Sequence, residues 1–120
     1  MRKINLAEKV AQIHEYWRPK IVGELNGQEL KLVKFRGEFV WHRHLDADEL
    51  FLGITGCFRV ECRDAAVTLQ PGDLIVVPHG VEHRTVAEEE AAALIFEPAE
   101  VRNTGDVMDQ RLTAPIGERI

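Results

Sequence analysis

Residues 37 to 56 read Gly-Glu-Phe-Val-Trp-His-Arg-His-Leu-Asp-Ala-Asp-Glu-Leu-Phe-Leu-Gly-Ile-Thr-Gly. His42 and His44 are separated by one residue, and Glu49 follows five residues later. Side chains alternate between the faces of an extended strand, so both histidines point the same way, roughly 7 Å apart at the backbone. A polar turn over 45–48 can then bring Glu49 beside them. Imidazole and carboxylate together indicate a Zn, Fe, Mn, Ni or Cu site rather than a calcium site.

A second stretch, residues 72 to 83, adds a further histidine. It reads Gly-Asp-Leu-Ile-Val-Val-Pro-His-Gly-Val-Glu-His, which predicts a strand, a Pro-x-Gly turn and then His83. The two stretches together resemble the cupin family, whose motifs place histidines, a glutamate, glycines and a proline at these spacings. The matching positions are Gly37, His42, His44, Glu49, Gly56, Gly72, Pro78, Gly80 and His83. Two positions depart from the family pattern: the first gap is four residues instead of five, and Ala87 replaces an asparagine.

The resemblance implies an all-β fold, the double-stranded β-helix or jelly-roll barrel of the cupins. It also implies one divalent transition metal (Fe, Mn, Ni, Zn or Cu) bound by His42, His44, Glu49 and His83. We expect a single cupin domain over 1–120, with the barrel core at about 30–97.

The flanking segments are predicted from local signals. Asn5 followed by Glu8 indicates a helix N-cap, and the helix is expected to continue to about Tyr16. Asn26-Gly27 is the favoured two-residue turn of a hairpin, which completes an N-terminal helix and hairpin over 1–35. The tail over 98–120 reads as irregular, running over the surface or onto a neighbour.

Further strands are predicted near 37–44, 49–55, 57–63, 66–70, 73–77, 82–87 and 92–97. Many short strands without intervening helices indicate an antiparallel sandwich or barrel.

Composition excludes several classes of partner. Twenty acidic and fifteen basic residues give a net charge of −5, which argues against nucleic-acid binding. No run of 18 apolar residues exists, so no membrane span is predicted. The N-terminal residues show no apolar signal region, and Cys57 and Cys62 are too poorly placed to bridge each other. We therefore expect a cytoplasmic protein with free thiols.

Strand parity gives a first sketch of the pocket. If the two histidines of the first motif face inward, so do Glu38 and Val40, and Phe39 and Trp41 face outward. By the same rule Phe51, Gly53 and Thr55 accompany Glu49, and Thr85 accompanies His83. Two outward aromatic side chains need a cover, supplied by the N-terminal segment or by a second subunit, and we predict a homodimer.

The other polar residues considered are weaker candidates for the metal site or the pocket. Asp48 is an alternative carboxylate of opposite parity, whereas His79 and His14 are expected at the surface. Inward lysines or arginines would favour a phosphorylated sugar. Lys34 and Arg36 share the histidine parity, although their end of the strand can lie outside the barrel.

Two hypotheses of function remain open. The first is a metalloenzyme acting on a small oxygen-bearing molecule, either a dioxygenase or a sugar or keto–enol isomerase. The second is a non-catalytic sensor or small-ligand binding module. The fold alone does not separate them.

Overall fold

The computed structural model describes residues 1–120, which form one short helix and seven strands. The elements are α1 (Leu6–Ala11), β1 (Lys20–Leu25), β2 (Gln28–Glu38), β3 (Glu49–Thr55), β4 (Phe58–Glu61), β5 (Ala66–Leu69), β6 (Leu74–Val77) and β7 (Arg84–Pro98). No helix of this structure has the length and apolar character that crossing a bilayer requires.

The strands pair in antiparallel fashion around β7, the longest of them. The carboxyl-terminal half of β7 lies between β2 and β3 in the order β1-β2-β7-β3-β6, while its amino-terminal end pairs with β4, which in turn pairs with β5. One long strand therefore belongs to both walls of the barrel. The predicted all-β jelly-roll barrel with a short N-terminal helix is confirmed.

The start of the chain follows the predicted signals, except in the length of the helix. The side chain of Asn5 accepts a hydrogen bond from the backbone N–H of Glu8 at 3.0 Å, as an N-cap does. α1 ends at Ala11 rather than near Tyr16. The turn residues Asn26 and Gly27 have φ values of 51° and 78°, which is the positive-φ geometry of the predicted hairpin turn.

Two predicted strand boundaries are wrong. β2 continues to Glu38, and the following residues make only one isolated bridge, at His42, instead of a strand over 37–44. The strands predicted at 82–87 and 92–97 are one strand, β7. The three exposed glutamates at 88–90 resemble a turn in sequence, but here they form a bulge at which the pairing with β2 shifts.

The core lies inside the barrel. Eleven buried residues fill it, including Phe35, Phe51 and Phe58, and a smaller cluster with Val10 and Ile13 packs the helical segment against the outside of the sheet. The tail over 98–120 is irregular, as predicted. It folds back onto its own chain, with Thr104, Leu112 and Ala114 buried.

Candidate metal centre

Four side chains converge at one end of the barrel. His42 and His44 lie on the irregular segment after β2, Glu49 is the first residue of β3, and His83 immediately precedes β7. All four are buried, and their ligand atoms lie within 4.8 Å of one another. The structure therefore brings together the four residues that the sequence predicted as metal ligands.

Backbone hydrogen bonds hold the two motifs against each other. The N–H of His42 donates to the carbonyl of His83 at 3.0 Å, and the N–H of His83 donates to the carbonyl of His42 at 2.8 Å. The N–H of Gly80 donates to the carbonyl of His44 at 2.8 Å. Gly80 has a φ of 81°, a backbone conformation that favours glycine. This conformation of the Pro-x-Gly turn brings the N–H of Gly80 to the carbonyl of His44.

The imidazoles are oriented with their Nε2 atoms towards the centre. Nδ1 of His42 donates to the carbonyl of Val40, and Nδ1 of His83 donates to the carbonyl of Val81, both at 2.9 Å. A backbone partner on one ring nitrogen leaves the other nitrogen as the free lone pair that a metal requires.

The carboxylate of Glu49 completes the cluster. Its Oε1 lies 3.2 Å from Nε2 of His83 and 3.3 Å from Nε2 of His44. Nε2 of His44 is fully buried and makes no hydrogen bond, which is a rare condition for a buried polar atom. A cation among these atoms would satisfy it, so the residues fit a transition metal.

The electrostatics place two of the four ligands, Glu49 and His42, in the protonation states that metal binding needs. Burial opposes ionisation of Glu49, but its hydrogen bond with His83 and the nearby imidazole of His44 outweigh burial and hold the pKa of Glu49 well below its usual range. Burial, followed by the charge of His83, lowers the pKa of His42 to about 4. Burial also opposes protonation of His83, but its hydrogen bond with Glu49 prevails and raises the pKa of His83. At neutral pH the glutamate is ionised and His42 is neutral.

The carboxyl-terminal tail clamps the segment that carries the first two histidines. The N–H of Arg43 donates to the side chain of Asp106 at 3.1 Å, and the N–H of Asp106 donates to the carbonyl of Arg43 at 3.0 Å. Gly105 has positive φ, and a Cβ at this position would collide with the carbonyl of Arg43. The sequence did not predict this contact, because the two segments lie about 60 residues apart.

A pocket of about 400 Å³, including its open mouth, adjoins the cluster and is lined by both His42 and Glu49. One wall is aromatic: the ring of Trp17 lies 4.9 Å from that of Phe39 and 5.1 Å from that of Phe35. Phe51 and Thr85 also line it, as the parity argument predicted. An apolar pocket with a few polar groups is typical of a small-molecule site.

The rule of alternating faces gives the wrong side for three residues that lie at or just beyond the end of a strand. Phe39 was predicted to face outward, but it is only 8% exposed and lines the pocket. Glu38 was predicted to face inward, but it is exposed and bonded to Arg84. Thr55, also predicted inward, is exposed at the end of β3. The alternation of faces applies within a strand, and β2 ends at Glu38.

Trp41 does face outward, and arginines cover it. The guanidinium carbon of Arg63 lies 4.0 Å from the centre of its ring, and that of Arg84 lies 4.9 Å away. These are cation–π contacts. Neither the N-terminal segment nor a second subunit is needed as a cover for Trp41.

The weaker candidates lie outside the cluster. The side chain of Asp48 is exposed and accepts hydrogen bonds from the backbone N–H and from Nδ1 of His79, at 2.8 and 2.9 Å. His79 and His14 are exposed, as predicted. Lys34 and Arg36 extend away from the pocket and pair with Glu90 and Glu89.

Sequence reasoning missed a buried charged group formed by Lys31, Glu29 and Glu97, of which Lys31 and Glu97 line the same pocket. Burial, followed by the charge of Glu49, raises the pKa of Glu97 well above its usual range, while Lys31 opposes this shift. A signal was present, because Glu29 and Lys31 alternate in phase with the inward Val33 and Phe35.

Comparisons with known proteins agree with the fold and the motifs. The family described as cupin domain (Cupin_2) matches residues 31–97. A cupin-2 domain containing protein from Shewanella frigidimarina NCIMB 400 is 43% identical, with 79% of this chain and 93% of that chain covered and a TM-score of 0.78. Protein NMB1881 from Neisseria meningitidis is 32% identical, with 82% and 100% covered and a TM-score of 0.75.

A curated relative is the uncharacterized protein YdbB of Bacillus subtilis (strain 168), 35% identical over 65 residues that cover 53% of this chain. The match spans 58% of the length of that relative. The matched family residues include all four members of the His/Glu cluster. This chain belongs to the cupin family.

Proposed function

We propose that this cupin binds one divalent transition metal through His42, His44, Glu49 and His83, and that it is a metalloenzyme acting on a small oxygen-bearing molecule in the adjacent pocket. The observation that carries the proposal is the buried, unpartnered Nε2 of His44 within a cluster of four ligand atoms. Such an atom is costly unless a cation or a donor satisfies it.

The route from the cluster to the pocket supports an enzyme over a purely structural metal site. Four protein ligands leave one or two positions open on a five- or six-coordinate ion, and His42 and Glu49 line the pocket that opens beside them. When bound, the metal would supply Lewis acidity or redox chemistry at an oxygen of the substrate. The aromatic wall and Phe51 would exclude water from the bound molecule and hold its apolar part.

An open coordination position is the testable consequence. Nitric oxide added anaerobically to the Fe(II)-loaded protein is expected to give the absorption bands of an iron–nitrosyl adduct. The His42→Ala/His83→Ala double variant, prepared in the same way, is expected to give none. Oxygen consumption that is lost in Glu49→Ala would then favour the dioxygenase branch, and turnover with Zn or Mn without oxygen would favour the isomerase branch. If metal-loaded protein binds neither nitric oxide nor azide, catalysis is contradicted and a binding or sensor module becomes the better account.

We also propose that the protein is a homodimer, on different grounds from those that the sequence offered. Phe39 is covered within the chain, so it no longer calls for a partner. The outer face of β3, β6 and β7 is apolar instead. Leu50 on β3 pairs with Val76 on one side and with Phe96 on the other. The residues that we call the outer apolar face are Leu50, Leu52, Leu74, Val76 and Phe96. Leu74 and Val76 are 57% and 54% exposed, on a strand at the edge of the sheet.

A second copy is the expected occupant, because two-fold pairing buries such a face on both chains and protects the exposed edge. Sedimentation at tens of micromolar should show a dimer for the wild type and a monomer for Leu74→Glu/Val76→Glu. Val67→Glu, which adds a charge at an exposed apolar residue of β5, should leave the dimer intact. A monomeric wild type would reject this proposal.

We further propose a cytoplasmic location, supported by the two free cysteines, Cys57 and Cys62. The partner is proposed to be a small molecule rather than nucleic acid, because the chain carries net negative charge.

A further inference from the structure

Three buried glutamates lie side by side across the inside of the barrel, on β2, β7 and β3. Glu29 pairs directly with Glu97, and the pairing of Leu50 with Phe96 places Glu49 beside Glu97 on the other side. We call Glu29, Glu97 and Glu49 the glutamate row. Each is at most 5% exposed. One end of the row is the proposed metal ligand Glu49, and the middle residue lines the same pocket.

One cation, Lys31, pairs with this row. Its Nζ donates to Oε1 of Glu97 at 3.0 Å and to the carbonyl of Val101 at 3.2 Å, and it lies 3.6 Å from Oε1 of Glu29. A lysine ammonium has three protons; two are donated in these hydrogen bonds, and Glu29 is held by the ion-pair contact alone. The contact fixes the orientation of the Glu97 carboxyl group.

The other oxygen of Glu97 is left free. Its Oε2 is fully buried and has no hydrogen-bond partner, and Glu97 lines the pocket together with Glu49. A buried carboxyl oxygen without a partner is unfavourable, because it has lost its hydrogen bonds to water and gained none in the protein. A group that enters the pocket and donates a hydrogen bond would relieve this penalty.

We propose that Glu97, held in place by Lys31, is the second anchoring point of the pocket and accepts a hydrogen bond from a hydroxyl group of the bound molecule. The inference rests on the proposed function, because another oxygen of the same molecule is taken to occupy the metal. Glu97 and Glu49 are neighbours on adjacent strands, where facing Cβ atoms lie about 4.5–5.5 Å apart. The hydroxyl group and the metal-binding oxygen are therefore expected to lie close together in the ligand, as they do in a hydroxy acid or a hydroxy ketone.

The charges define the class of ligand further. Lys31 is the only lysine or arginine that lines the pocket, and it is already paired with Glu97. A divalent ion at Glu49 offsets the repulsion between the carboxylates of Glu49 and Glu97. Lys34 and Arg36 lie outside the pocket and are paired with glutamates. The site consequently suits a neutral or singly charged hydroxy compound and not a phosphorylated sugar.

Two small probes test the hydroxyl contact: glycolate, and methoxyacetate, in which a methyl group replaces the hydroxyl hydrogen. Binding of each to the Co(II)-loaded protein is followed by the visible spectrum of the metal. The quantity compared is the ratio of the two dissociation constants in the wild type and in Glu97→Gln. The glutamine keeps the size and the carbonyl that accepts from Lys31, but presents an amide donor in place of the free acceptor. Any chelation preference of the metal itself is common to both proteins and cancels.

We expect the preference for glycolate to be at least about tenfold larger in the wild type than in Glu97→Gln, because the amide of the variant leaves the hydroxyl group without its acceptor. Glu89→Gln makes the same change on an exposed side chain of the same strand, outside the pocket, and should leave the preference unchanged. The metal content of each variant is measured first. If Glu97→Gln retains its metal and the preference is unchanged, or if neither probe binds a metal-loaded wild type, the role of Glu97 is refuted while the metal site stands. A wild type that binds no metal refutes the proposed function, and this inference with it.

A second variant covers the case in which Glu97→Gln fails to fold. Lys31→Met/Glu97→Met replaces the ion pair with apolar side chains of similar length, a change that buried pairs often tolerate. It should bind metal and show the same loss of preference. A glycolate preference equal to that of the wild type in this variant would also overturn the proposal.

Discussion

Replacing His83 with alanine is expected to reduce metal affinity by more than about 100-fold, because even outer-shell changes lower affinity by about 10–100-fold. His83 is completely buried, and its Nε2 lies 3.2 Å from the carboxylate of Glu49. Loss of the imidazole removes a ligand and also the hydrogen-bond partner that holds Glu49. Elemental analysis after dialysis against a weak chelator measures the effect.

The chain supplies a matched control for this experiment. His79 lies four residues away in the same turn, but it is exposed and bonded to Asp48. His79→Ala should keep wild-type metal content. Circular dichroism should show the same strand content for both variants, because the eleven-residue core of the barrel does not include either histidine. Full metal occupancy in His42→Ala/His83→Ala would refute the assignment of the ligands.

Replacing Lys31 with methionine is expected to destabilise the protein by about 3–5 kcal/mol, the range for breaking a buried ion pair by removing one partner. Glu29 and Glu97 are both buried and would lose their shared cation. For a domain of this size the loss corresponds to a fall in melting temperature of roughly 10–20 °C. Thermal unfolding of the metal-free proteins measures it without a contribution from the ion.

Two further variants test whether the loss of stability in Lys31→Met comes from the unpaired buried charge or from the substitution in general. Arg36→Met removes a cation of the same strand whose pair with Glu89 is exposed, and it should change stability by less than about 1 kcal/mol. Lys31→Met/Glu97→Met should recover part of the stability lost in the single variant, because it removes one of the two carboxylates that the single variant leaves unpaired. A Lys31→Met protein as stable as Arg36→Met would show that the buried group is not an ion pair that matters to the fold.

The metal ligands could be predicted because their spacing depends on local chain geometry. One residue separates His42 from His44, a four-residue turn returns the chain to Glu49, and His83 follows a Pro-x-Gly turn. Each step is set by nearby residues, and the resemblance to the cupin motifs fixed which of them belong together.

The contacts around the metal ligands that join distant parts of the chain could not be predicted in the same way. The contact between Lys31 and Glu97 joins residues 66 positions apart, and no local pattern indicates the register that brings them together. Phe39 was misplaced because the rule of alternating faces was extended beyond the end of β2. The clamp between Arg43 and Asp106 depends on the irregular tail, whose path has no periodic signal.

The central claim is that the four converging side chains hold a transition metal. Crystals of protein purified without added metal, measured at and below the absorption edge of the metal identified by fluorescence, test it directly. We expect one anomalous peak per chain, about 2.0–2.2 Å from the Nε2 atoms of His42, His44 and His83 and from the carboxylate of Glu49. A metal held by other residues, or no peak at this position in crystals soaked with Fe(II), Mn(II), Ni(II), Zn(II) or Cu(II), would contradict the account.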